Sequence, residues 1–257
     1  MKNCKMYCLS ISNKDLSIIQ SLDYIPVGLG NDGFSNQWVT DKTLDNISQK
    51  NKSYGEYTFH YWFWKNELKK ITDDNWVGFC AYRRFWSNNI DKDNQNIKFK
   101  DRVLNEIPKT WKDYDVILGN KIYVDNIKWT KILKYGKTSL IRNPKAIFKK
   151  NRNIKFHFDM FHGNGVIDKA IDVLNEKDKK DFKEFVKSKK IMMKYYETVF
   201  AWLNECEKIF GFDLDGYGKI RIYGFLAERF LPFWFNKYSN CLEWPIVFND
   251  LRKENLN

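Results

Sequence analysis

The chain has 257 residues, with 44 Lys and Arg against 32 Asp and Glu, a formal charge of +12. With 43% hydrophobic and 17% aromatic residues, 13 Gly and 5 Pro, it can bury a sizeable core, which excludes a disordered, collagen-like or low-complexity protein. No uncharged apolar run approaches the roughly 18 residues of a membrane-spanning helix, and MKNCKMYCLSISNKD lacks a signal-peptide core, so a cytoplasmic address is expected.

Taken in chain order, KMYCLSIS reads as a buried strand and YIPVGLG as a second that ends in a glycine turn. Tyr54, Tyr57, Tyr61, Trp64 and Leu68 follow at spacings of three and four, which predicts one amphipathic helix of about four turns. WVGFCA (76–81) and YDVIL (114–118) are apolar enough throughout to be central strands covered on both faces. From Val166 the spacing turns helical, over VIDKAIDVLNEKDKKDFKEFV, MMKYYETVFAWLNECEKIF and YGFLAERFLPFWF, with Gly211 as a stop for the second. The expected fold class is α/β, a Rossmann-type sheet with a C-terminal helical layer, in one domain. Within it, 1–125 forms the α/β part, 126–165 a basic connecting segment and 166–257 a mainly helical part.

Asn126 to Phe158 contains no acid and ten bases, among them Lys128, Lys131, Lys134 and Lys137. Such a stretch suits an anionic membrane surface, a diphosphate-bearing acceptor or nucleic acid; in a chain with 36 Lys it also suits a merely solvated surface. Cys4, Cys8, Cys80, Cys206 and Cys241 are scattered and odd in number, and the three histidines fall in no metal motif, so reduced thiols and no metal site are expected.

The chain lacks a G-x-G-x-x-G after its first strand, a Walker-type loop, H-E-x-x-H and a nucleophile-elbow serine. Asp213 to Asp215 (DLD) lies between two helices, where a surface turn is expected. Three constellations remain. Asn46, Ser48, Asn51 and Tyr54 precede a helix N-terminus, which favours a phosphate; the same residues also suit a cap, with Glu56 in the first turn. Tyr82-Arg83-Arg84 follows a buried strand at its carboxyl end, the place where open α/β sheets hold ligands, which favours a diphosphate clamp over an arginine pair on a merely solvated loop. His157, Asp159 and His162 gather within six residues and suit a general base acting on a hydroxyl, or structural hydrogen bonding.

Long ordered motifs carry a resemblance across about Met6 to Tyr238: IPVGLG, D-N-I-S-x-K-N-x-x-Y-x-E-x-T-x-x-Y-W-x-W-K-N, WVGFCAYRRF, YDVIL and R-I-Y-G-F-L-A-E-R-F. They resemble a family from bacterial capsule, exopolysaccharide and lipopolysaccharide gene clusters, known as a domain of unknown function and similar to GT-A nucleotide-sugar transferases. The resemblance implies a nucleoside diphosphate sugar, UDP-linked, as donor and a glycan or lipid-linked acceptor. It implies that Ser10, Ser12, Asn13, Lys14 and Gly28 flank the base, that Asn46, Ser48, Asn51, Tyr54 and Glu56 line the donor pocket, and that Tyr82-Arg83-Arg84 occupies the place of the metal-binding D-x-D. Arg221, Glu228 and Arg229 match its R-x-x-x-F-x-x-E-R pattern, with an ion pair between the last two expected to fix the helix. Two departures stand out: Ala81 replaces the histidine of H-Y-R-R, and the Asn-Met-Phe segment is shortened to KSKKIMMKYYETVF. The expected activity is sugar transfer to a hydroxyl of a surface-glycan precursor, with Arg83 and Arg84 on the leaving diphosphate and, if the reaction inverts configuration, Asp159 with His157 or His162 as base. The competing expectation is a non-enzymatic basic module that binds nucleic acid or polysaccharide.

Overall fold

The computed structural model describes residues 4–30, 33–72, 75–88, 97–123, 178–180, 184–214 and 220–254. In β1 (Cys4–Ser10) the apolar run is continuous because successive side chains enter two cores: Tyr7 and Leu9 face one, Met6 and Cys8 the other. Then come α1 (Leu16–Ser21), β2 (Ile25–Gly28), β3 (Val39–Thr40), α2 (Asn51–Tyr54), α3 (Tyr57–Asn66), β4 (Trp76–Ala81), β5 (Arg84–Trp86), α4 (Phe99–Arg102), β6 (Val116–Gly119) and β7 (Lys121–Tyr123). The remaining described elements are β8 (Asp178–Lys180), β9 (Glu184–Val186), α5 (Lys189–Phe210), α6 (Ile222–Tyr238), β10 (Cys241–Trp244), β11 (Ile246–Phe248) and α7 (Leu251–Glu254).

The main sheet runs β10-β6-β9-β4-β1-β2-β3. β1 is parallel to β2 and β4, β2 to β3, and β6 to β10, whereas β9 is antiparallel to both neighbours. β5 folds back antiparallel from the end of β4 and pairs with β11. This is the α/β architecture expected, with strands covered on both faces.

The abundance of rings is explained by the two cores. On one face Tyr7, Phe59, Phe63 and Phe79 meet with centroids 5.2–5.7 Å apart for the Tyr7 pairs and the Phe63–Phe79 pair, beneath α3, α5 and α6. On the other, Trp111 sits 5.5 Å from Trp76 and 5.3 Å from Trp244. His60 is buried in the first core, with Nδ1 3.0 Å from the Tyr196 hydroxyl. Burial pushes the Cys4 thiol up to about 12, so it is held protonated and unreactive.

Two sequence expectations are corrected. The four-turn helix from Tyr54 breaks at Gly55, whose φ of +59° ends α2, and only Tyr57–Asn66 continues as α3. Helical spacing also fails over Glu184–Val186, which is a strand: Val186 is buried opposite Val77 and Val116, so pairing in the sheet overrides periodicity. The following helix starts only where Ser188 caps it, its Oγ accepting from the Ile191 amide at 3.4 Å. β8, β10 and β11 likewise fall within the range expected to be mainly helical.

Candidate active site

Four parallel strands end in line. Ser10 is in register with Gly28, Gly28 with Thr40, and Leu9 with Ala81, so the segments leaving β1, β2, β3 and β4 rise from one carboxyl edge. This edge brings together the Ser10–Lys14 loop, Gly28 and Tyr82-Arg83-Arg84 named from the sequence.

Beyond β1 the backbone is held by its own side chains. Buried Ser10 donates its hydroxyl to buried Asp15 at 2.5 Å and accepts from the Ser12 amide at 3.0 Å. Ser12 in turn caps a 3-10 turn, accepting from the Lys14 amide at 3.3 Å. Asn13 Nδ2 donates to Gly33 O at 3.1 Å, tying this loop to the one after β2, while the Lys14 side chain is exposed. Gly28 has a steric reason: a Cβ there would stand 2.4 Å from the Phe34 ring.

The segment after β3 is laced to α3. Trp62 Nε1 donates to Thr43 O at 3.0 Å, and Asn66 Nδ2 to Asp45 O at 2.8 Å. Within it, Asn46 Oδ1 accepts from the Ser48 amide at 3.1 Å and hydroxyl at 2.8 Å, and Asn46 Nδ2 donates to Leu44 O at 2.9 Å. Asn46 and Ser48 thus build the turn that leads into α2. Asn51 is more central: half-buried, it donates to Gly55 O and to Thr58 Oγ1, each at 3.0 Å, and turns its Oδ1 toward Gly30 beyond β2.

Tyr54 is buried. Its hydroxyl donates to Glu207 Oε1 at 2.6 Å, and its ring lies 5.2 Å from that of Tyr223. Burial, and then the Glu207 carboxylate, hold its phenol far above the ordinary range. Glu56 is half-buried at the N-terminus of α3. Sequence reasoning missed Lys50 and Glu207, which close this corner through contacts of both carboxylate oxygens with Lys50 Nζ at 2.8 Å. No local motif joins residues 157 positions apart. Arg221 packs on Gly55, its Nη2 2.4 Å from where a Cβ would stand. Arg229 is buried and donates to Phe225 O at 3.1 Å.

Beyond β4, Tyr82 and Arg83 form the turn into β5, and Arg84 opens that strand opposite Ala81. Arg83 is exposed, with its guanidinium 5.0 Å from the Tyr82 ring centroid; Arg252 of α7 lies 4.8 Å from the same ring. Asp250 orients Arg252 with contacts of 3.0 and 2.8 Å, and that hydrogen bond, more than the opposing burial, holds the Asp250 carboxyl below its usual range. Arg252 was also missed, because only the return of the chain through β11 brings it to the β4 turn.

His157, Asp159, His162, Lys128, Lys131, Lys134 and Lys137 lie outside the described residues. Asp213 is exposed just beyond the end of α5. Among the described residues, no helix is long and apolar enough to cross a membrane, and no three His, Cys, Asp or Glu gather to hold a metal.

Among solved structures, the chain is similar to the apo structure of the bifunctional glycosyltransferase WbbM, with a TM-score of 0.60 at 20% identity. The match covers 95% of this chain and 45% of that one, so the chain spans less than half of that protein's length. No curated protein sequence matches. The model of a domain of unknown function, DUF4422, matches residues 7–240, and the chain therefore belongs to the DUF4422 family.

Proposed function

We propose that the chain is a glycosyltransferase that moves a sugar from a nucleoside diphosphate donor, UDP-linked, to a hydroxyl of a glycan or lipid-linked precursor of a bacterial surface polysaccharide. The observation that carries this is the alignment of four parallel strand ends with an arginine turn at one of them, in a fold similar to that of the bifunctional glycosyltransferase WbbM. The donor lies along that edge, with its diphosphate at the β4 end. Arg83 and Arg84 stabilise the charge that develops on the leaving diphosphate, which is the largest catalytic contribution. β4 ends without a carboxylate in Tyr82-Arg83-Arg84, so two guanidiniums take on charge neutralisation that a divalent ion performs in D-x-D enzymes. The acceptor hydroxyl loses its proton to Asp159, assisted by His157 or His162, and its oxygen attacks the anomeric carbon as the bond to the diphosphate breaks.

The acid-free segment with Lys128, Lys131, Lys134 and Lys137 holds the protein at the anionic inner face of the membrane, where a lipid-linked acceptor resides. Release of nucleoside diphosphate from a panel of nucleotide sugars, with and without a polyprenyl-diphosphate-linked acceptor, tests the proposal. Acceptor-stimulated release supports it. A basic binding module would release none.

A further inference from the structure

Asp41 follows Thr40, the last residue of β3, and Thr40 is in register with Gly28. It therefore stands at the carboxyl edge, beside the exit of β2 and on the side away from β4. It is 1% exposed, and among the described residues neither carboxylate oxygen has a partner in good hydrogen-bonding geometry. The neighbouring Thr58 is committed elsewhere: its hydroxyl donates to Gly55 O at 3.0 Å and accepts from Asn51 Nδ2 at 3.0 Å. Buried carboxylates are ordinarily satisfied, because leaving their lone pairs unmet costs the full desolvation of the charge. Burial pushes the Asp41 carboxyl above its usual range, opposed in smaller measure by Thr58, its own amide and Lys42. The fold thus sustains an unfavourable group within the carboxyl edge, the pattern expected where a ligand supplies the missing donors.

We propose that Asp41 recognises the nucleoside of the donor, its two oxygens accepting hydrogen bonds from N–H or O–H groups of the ribose diol or the base. The assignment rests on donor binding along this edge, as proposed above. Three strand spacings separate the β4 turn from the end of β3, roughly 14 Å at about 4.8 Å each, which is the reach of an extended nucleoside diphosphate. With the diphosphate at Arg83, the nucleoside and not the transferred sugar arrives at Asp41. Asn51, half-buried between Gly30 and Thr58, is the side chain placed to yield as the ligand enters.

Calorimetric titration with UDP of the wild-type chain, Asp41→Asn and Asp41→Leu tests this, alongside titration of the wild type with 2′-deoxy-UDP and N3-methyl-UDP. Both variants should lose roughly 10- to 100-fold in affinity, the value of hydrogen bonds to a charged group, while melting no lower than wild type. Loss of similar size for the deoxy ligand assigns the contact to ribose, and for the methylated ligand to the base. If the wild type binds UDP and both variants bind it equally well, Asp41 takes no part and the inference falls while donor binding stands. If the wild type binds no nucleotide diphosphate, donor binding falls and this inference with it. Should neither variant fold, wild-type discrimination decides: a loss of about tenfold for either analogue supports the contact, and equal affinity for all three ligands overturns it.

Discussion

Lys50 Nζ contacts both carboxylate oxygens of Glu207 at 2.8 Å, joining the turn before α2 to α5 across most of the chain. The pair is partly buried, with side-chain exposures of 28% and 12%, and the Tyr54 hydroxyl adds a third hydrogen bond to the same carboxylate. Glu207→Gln should destabilise the fold by about 1–3 kcal/mol, because the Lys50 charge loses its partner in a poorly hydrated corner. Urea unfolding monitored by tryptophan fluorescence measures it; an unchanged midpoint would mean that the pair is cancelled by its own desolvation.

Gly28 and Phe34 are in van der Waals contact where a side chain would stand, so Gly28→Ala places a methyl 2.4 Å from the Phe34 ring. The ring must move, at a cost of about 1–3 kcal/mol. Adding Phe34→Ala should recover part of that loss, and a double-mutant cycle in urea reads the coupling. Additive effects would show that the ring is not the obstacle.

For Asp41 the pH dependence has a definite sign. Its carboxyl is raised in the folded protein from an ordinary 3.8, so folding is least penalised when the group is protonated and loses stability as pH rises from about 3.8 through the raised value. The Asn variant lacks that titration. Melting temperatures of the two proteins should converge near pH 3 and separate as pH rises, with Asp41→Asn the more stable at neutral pH. A constant difference across the range would show that the carboxyl does not titrate with a raised value.

Much of the edge is legible in the sequence because it is local. WVGFCA followed by Tyr82-Arg83-Arg84 reads as a strand and its exit, and IPVGLG as another, since buried parallel strands are continuous apolar runs. The break at Gly55 is not visible in the spacing of Tyr54 and Tyr57, because a single positive-φ glycine interrupts hydrogen bonding without disturbing periodicity. Val186 reads as helix for the opposite reason: the pairing with Val77 and Val116 that makes it a strand is supplied by distant segments. Glu207, Arg252 and Asp41 escape for the same cause. Each acquires its meaning from a partner, or from the lack of one, that only the fold establishes.

The acid-free segment makes a separate prediction. Replacing Lys128, Lys131, Lys134 and Lys137 with Gln should weaken sedimentation with phosphatidylserine vesicles, as should added salt with the wild type. Equal sedimentation of mutant and wild type would remove these lysines from any membrane contact.

The most direct measurement is nucleoside diphosphate release from UDP-sugars by the wild type, Arg83→Ala and Arg84→Ala, each assayed in chelator and with manganese. Acceptor-stimulated release by the wild type that persists in chelator is predicted, with each arginine variant losing about 2–4 kcal/mol of transition-state stabilisation. Release by the wild type only with manganese, at rates the arginine variants match, would contradict the account.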